Sequence, residues 1–161
     1  MRIIGIDPGL RSTGWGVIER QGNSFTYLAS GTVKTSPGPL ATRLLIIHTE
    51  LVKTIEEYHP KMAAVEKIFV NIDRANSIKL VHARAMALLA PVQAGIEVSE
   101  YAPNSIKQAI VGKGHATKDQ VNYMLKMQLK NFQDHGHDCT DALAIALTHS
   151  LCSRIQSLSS N

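Results

Sequence analysis

Cysteine is nearly missing from this chain: Cys139 and Cys152 are the two it has in 161 residues. They are not in a Cys-x-x-Cys spacing and both fall in one apolar helical segment, which excludes a disulfide framework and predicts buried, reduced thiols. Long hydrophobic runs are absent too, and no segment approaches the ~20 apolar residues needed to span a bilayer. Met1-Arg2 leads straight into a strand-like run with no small-residue cleavage site behind it, unlike a signal peptide, so a cytoplasmic protein is expected. There is no internal repeat, linker or low-complexity segment. One domain over residues 1–153, with a frayed polar tail at 154–161, is the organisation expected.

Apolar residues make up 44% and charged residues 19%, an ordinary globular balance. Seventeen Lys and Arg against thirteen Asp and Glu give a net charge of +4. Moderate basicity points weakly to a polyanionic partner, and more strongly if some of the acids are neutralised by metal.

The first third alternates as paired strands, Arg2 to Ile6, Thr13 to Glu19 and Phe25 to Lys34, which predicts an antiparallel meander. Leu40, Leu44, Ile47, Leu51 and Ile55 recur at helical spacing between Pro39 and Pro60. Met62-Ala63-Ala64-Val65 reads as a strand closed by Glu66. A second helix carries Ile78, Val81, Ala85, Leu88 and Leu89 and is expected to stop at Pro91. Ile96 to Tyr101 is the fifth strand. Helices follow over Ile106 to Val111, Thr117 to Leu129 and about Asp138 to Cys152, with Thr117 and Gln120 forming a capping box. Helical crossovers imply parallel pairing for the later strands, so the fold class is α/β with a mixed five-stranded sheet.

Four acids sit beside apolar segments. Asp7 ends the run Ile3-Ile4-Gly5-Ile6, Glu66 ends the fourth strand, and Asp138 and Asp141 are about one helical turn apart at the start of the last helix. Each has a bland explanation: a turn opener, a solvated strand end, a helix cap and its companion. Jointly they form a set suited to phosphoryl transfer, because clustered carboxylates repel unless hard divalent cations sit among them, and two ions would roughly balance four acids. No cysteine or Ser-His-Asp system competes as a nucleophile. His135 and His137 lack the further ligands of a zinc site.

Gly5-Ile6-Asp7-Pro8-Gly9, Gly14-Trp15-Gly16, Val65-Glu66-Lys67 with Phe69, Ala83-Arg84, and Asp138-Cys139-Thr140-Asp141-Ala142-Leu143 together resemble, in order and spacing, the RuvC family of Holliday-junction resolvases. The resemblance implies a ribonuclease H-like fold and a homodimer. It also implies four catalytic, metal-binding acids, Asp7, Glu66, Asp138 and Asp141, using Mg²⁺ or Mn²⁺, with two ions per site expected, to nick four-way DNA junctions. Cooperation with the RuvA and RuvB branch-migration proteins is implied as well. Val81-His82 before Ala83-Arg84, and Ala85 after, depart from the family's Gly-Gln and Gly, in the helix that belongs to its dimer region. The position of Asp138 is histidine in some relatives.

Lys107 and Lys118 match basic positions that contact DNA in the family, and Lys113 lies on the glycine-flanked loop between them; solvated surface lysines are the alternative. Phe69 resembles the aromatic that stacks at the junction centre, against a core role, and Arg74 is placed on the same surface. A junction of approximate two-fold symmetry must be cut on two opposed strands, whereas one chain carries one candidate site, so an isologous dimer is expected. The helix Ala75 to Ala90 is its candidate interface. Its apolar face has an alternative place inside the monomer. The rival activities are a ribonuclease H-like nuclease acting on structured RNA, a sugar kinase or chaperone-type ATPase, and a non-catalytic junction-binding module.

Overall fold

Strand β1 (Arg2–Asp7) is buried on both faces, Ile3 packing into one side of the sheet and Ile4 and Ile6 into the other. A strand of this kind requires a layer on each side, and the computed structural model contains both. It describes residues 1–68 and 74–159, together with their side chains apart from those of 74–77 and 154–159.

β1 pairs antiparallel with β2 (Ser12–Gln21), which pairs antiparallel with β3 (Ser24–Lys34), giving the expected meander. On its other side β1 takes β4 (Met62–Glu66) in parallel, and β4 takes β5 (Val98–Tyr101) in parallel. A two-residue strand, β6 (Leu129–Lys130), adds in parallel to β3, so the order is β5-β4-β1-β2-β3-β6. Six strands therefore replace the five expected. Leu129 and Lys130 close a helical segment and are too few to show an alternation of their own.

Helices α1 (Leu40–Tyr58) and α2 (Arg74–Gln93) cover one face. On the other lie α3 (Pro103–Val111), α4 (Lys118–Gln128) and α5 (His137–Ser159). The predicted capping box opens α4: Thr117 Oγ1 accepts from Gln120 N at 3.3 Å, and Gln120 Oε1 accepts from Thr117 N at 3.0 Å. Pro91 does not stop α2. It sits in the last turn at the loss of one intrahelical hydrogen bond, and its carbonyl accepts from Ala94 and Ile96 as Gly95, at φ +73°, turns the chain. That turn consumes residues 94–96 and delays β5 to Val98. At the other end, α5 continues to Ser159, through residues expected to fray. Cys139 is buried as expected, but Cys152 is half-buried; both thiols are free.

Residues Ala142 to Ser150 of α5 are all buried, because the helix is pressed between the sheet and the α3 and α4 layer. Glycines in the strands allow this approach. A methyl group built on Gly5 would meet the carbonyl oxygen of Ala142, one on Gly14 the carbonyl of Asp138, and one on Gly16 would stand 2.7 Å from Leu143 Cγ. Register places Gly5 opposite Gly16 and Asp7 opposite Gly14, so these positions form a bare floor on which α5 lies. No helix among the described residues is long and apolar enough to cross a membrane.

Candidate active site

Asp7 and Glu66 follow immediately after Ile6 and Val65, which face each other across the parallel β1 and β4 pair. The two carboxylates therefore leave neighbouring strands at the same edge of the sheet. The glycine floor brings the first turn of α5 down beside them, with Asp141 lining the same cleft. Asp138 completes the group: its charge, like those of Glu66 and Asp141, acts on Asp7. Folding thus gathers four acids from three elements.

The cleft has a volume of about 270 Å³, and Lys107, Lys118, Pro103 and Ile106 close its far wall from α3 and α4. Burial, and then the nearby charges of Glu66, Asp141 and Asp138, push the Asp7 carboxyl from 3.8 to about 7. Glu66 is raised for the same reasons, burial first and Asp141 second, with Lys118 and Lys107 opposing. Lys118 Nζ lies 2.9 Å from Asp141 Oδ2, and this bond is the main cause that raises the ammonium above its ordinary value.

A site that drives a carboxyl so far upward is short of positive charge. Its oxygen donors are of the kind that hard divalent cations take, and the charge of four acids suits them. In donor chemistry and charge the residues fit such ions. As the side chains stand, however, no three Asp, Glu, His or Cys groups among the described residues converge closely enough to share one. Two oxygens are already engaged: Lys118 holds Asp141, and the Ser12 hydroxyl donates a short hydrogen bond to Asp138 Oδ2. Lys118 therefore competes with a cation for Asp141 Oδ2.

Ser12 is a site residue that the sequence reading missed. The signal was available, since Ser12, Gly14 and Gly16 alternate onto the same face of β2 as the residues under α5.

Of the expected DNA contacts, Lys107 and Lys118 line the acid cleft. Lys113 is exposed on the loop between α3 and α4 and does not line that cleft. Phe69 and the side chain of Arg74 lie outside the described residues. His135 stacks on Tyr27, with ring centroids 6.4 Å apart, and its Nε2 lies 3.2 Å from Gln133 Oε1. His137 is the exposed first residue of α5. Arg84, from the Ala-Arg motif of α2, forms an ion pair with Glu100 of β5 and braces α2 against the sheet.

Known proteins resemble this chain in sequence and fold. The chain is 50% identical to the crossover junction endodeoxyribonuclease RuvC of Ruegeria pomeroyi over 99% of its length and 96% of the relative's. It is 51% identical to that of Rhizobium johnstonii over 92% of its length and 89% of the relative's. Among solved structures, Thermus thermophilus RuvC in complex with a Holliday junction substrate superposes with a TM-score of 0.89 at 34% identity, covering 97% of this chain and 96% of the other. The yeast mitochondrial Holliday junction resolvase Ydc2, at 10% identity and a TM-score of 0.67, shares the fold. The family model described as crossover junction endodeoxyribonuclease RuvC matches residues 3–149, and with a ribonuclease H-like sheet whose strand-end acids meet those of α5, the chain belongs to the RuvC family.

Proposed function

We propose that this chain resolves four-way DNA junctions by paired, symmetric nicks that leave 5′-phosphate and 3′-hydroxyl ends, with Asp7, Glu66, Asp138 and Asp141 as its catalytic and metal-holding residues. The observation that carries this reading is the convergence of Asp7, Glu66 and Asp141 on one cleft, with Asp138 near enough for its charge to act on Asp7. The family is a metal-dependent nuclease. Mg²⁺ or Mn²⁺, two per site, would be held by these acids and would supply Lewis-acid activation of the attacking water and charge neutralisation at the departing 3′ oxygen.

The chain's own side chains orient the substrate and compensate its charge. Lys107 and Lys118 face into the cleft and favour entry of a phosphodiester. Lys118 also pairs with Asp141, and so offsets one negative charge until cations and substrate take its place. Ser12 fixes the direction of the Asp138 carboxylate. Lys113, Phe69 and Arg74 are proposed to contact the arms and centre of the junction, as the resemblance implies.

Two sites are needed for two nicks, and α2 offers a surface for pairing. Ile78, Val81, Leu89 and Val92 are 55%, 41%, 48% and 59% exposed, and with Ala85 between Val81 and Leu89 their three- to four-residue spacing puts them in one apolar stripe. Such a stripe is suited to an isologous dimer. RuvA and RuvB are the proposed partners that deliver the junction.

The decisive experiment incubates the protein with a synthetic four-way junction, with and without Mg²⁺, beside Asp7→Asn. Symmetric nicks that require Mg²⁺ and vanish in the variant are expected, while junction binding by the variant persists. Equal cleavage by Asp7→Asn, or by wild type in EDTA, would overturn the catalytic assignment.

A further inference from the structure

A second basic cavity lies at the same sheet edge as the acids but in the opposite layer. Leu10, Arg11, Arg43, Lys79 and Leu80 line it, and its volume is about 370 Å³. Three elements contribute a cation each. Arg11 comes from the turn between β1 and β2, Arg43 from the first turn of α1, and Lys79 from α2.

Arg43 is aimed by its surroundings. Its Nε donates to Thr35 Oγ1 at 2.9 Å and its Nη2 to the Leu10 carbonyl at 3.0 Å. Thr35, itself buried, donates its N–H to the Arg11 carbonyl at 3.1 Å and its hydroxyl to the Leu10 carbonyl. The turn carrying Arg11 is therefore pinned beside the guanidinium. Arg11 and Lys79 are exposed. Among the described side chains, no carboxylate forms an ion pair with any of the three. Converging cations without a counter-charge repel one another, and a phosphate is an anion whose oxygens suit a guanidinium fork.

Arg11 is four residues beyond Asp7, so even fully extended chain separates their Cα atoms by no more than ~14 Å. A DNA strand with one phosphodiester at Asp7 that continues over the sheet edge brings a nearby phosphate to this cavity. We propose that Arg11, Arg43 and Lys79 form a phosphate-binding subsite for the cleaved strand, a few nucleotides from the scissile bond. This inference rests on the junction-cleaving reading above. It adds a second grip on the same strand, on the far side of the sheet edge from Lys107 and Lys118.

The test measures binding of the full chain to a synthetic junction, in Ca²⁺ to prevent cleavage, across a range of KCl concentrations. Arg11→Ala with Lys79→Ala should lower the slope of log affinity against log salt by about 1, the loss of one phosphate contact. Junctions carrying a single neutral methylphosphonate, moved along the strand, should locate the contact. One position near the nick should weaken wild type several-fold and leave the double variant unaffected. Arg11→Lys with Lys79→Arg should restore the slope. Identical slopes and identical methylphosphonate profiles for wild type and double variant would overturn the subsite. Failure of wild type to bind the junction at all would instead sink the junction reading, and the subsite with it. Should the double variant lose its melting transition, Lys79→Ala alone, at an exposed position, carries the same comparison.

Discussion

The ammonium of Lys118 stands 2.9 Å from Asp141 Oδ2, inside the cleft that also contains Asp7 and Glu66. A lysine that reads in the sequence as a DNA contact is thus also the internal counter-ion of the acid cluster. It competes with any cation that Asp141 would hold. Its side chain is 65% exposed, so solvent weakens the pair, and an exposed pair of this kind contributes about 0.2 to 1 kcal/mol. Lys118→Ala is expected to tighten Mn²⁺ binding by calorimetry, by up to about fivefold, since 1.4 kcal/mol is tenfold. Junction affinity should fall in the same variant. Unchanged Mn²⁺ affinity would remove Lys118 from this role.

Stability of the metal-free protein should carry the signature of Asp7. Its folded value of about 7 lies above the ordinary 3.8, so the folded state holds a proton that the unfolded chain has released across that interval. The contribution is complete below 3.8 and is lost as pH rises through about 7. In EDTA, Asp7→Asn should therefore melt higher than wild type at pH 8, by roughly 3 to 6 °C, with a smaller difference at pH 5. Adding Mg²⁺ at pH 8 should raise the wild-type melting temperature more than that of the variant. A pH-independent difference between the two proteins would contradict the clustering of charge at Asp7.

Much of this site is legible in the sequence because its acids end elements whose patterns are strong. Asp7 and Glu66 follow short apolar runs bounded by turn and loop residues, which read as buried strands. Asp138 and Asp141 begin an apolar helix, and the intervening crossovers fix the parallel pairing. What escaped depends on contacts between elements that are distant in the chain. The Ser12 bond to Asp138 spans 126 residues, and nothing near Ser12 marks it except its alternation with Gly14. Likewise, Arg11, Arg43 and Lys79 are scattered single charges until β1, α1 and α2 are packed together. β6 failed for another reason: a two-residue strand has no period.

Gly5 carries the close approach of α5. A side chain there would meet the Ala142 carbonyl and the Ala146 N–H, which are helix backbone and cannot rotate aside. Gly5→Ala is expected to cost about 1 to 3 kcal/mol and to impair cleavage by lifting Asp138 and Asp141 away from Asp7. Gly38→Ala adds the same methyl group where nothing lies within 4 Å, and should leave both melting and cleavage unchanged. Comparing the two by thermal unfolding and by nicking rate separates the effect of the floor from that of glycine content. Equal tolerance of both changes would mean that α5 is not pressed against β1 at this point.

Pairing through α2 makes a prediction about the order of the nicks. Leu89 is 48% exposed, although leucine on a helix facing only water gains nothing from burial, and its neighbours along the stripe are Ala85 and Val92. Leu89→Asp puts a charge within the proposed isologous contact, and two-fold symmetry repeats it on the opposing face. The variant should shift from dimer to monomer in sedimentation at micromolar concentration while keeping the wild-type melting behaviour of a folded domain. Its Mg²⁺-dependent cleavage should then yield junctions with one nick that accumulate before any second cut, whereas wild type should release linear duplexes with little nicked intermediate. A cruciform plasmid reports both products on one gel, because a single nick relaxes the circle and a paired nick linearises it. Persistence of the dimer, together with undiminished paired cutting, would show that the stripe of Ile78, Val81, Leu89 and Val92 is not the surface that couples the two sites.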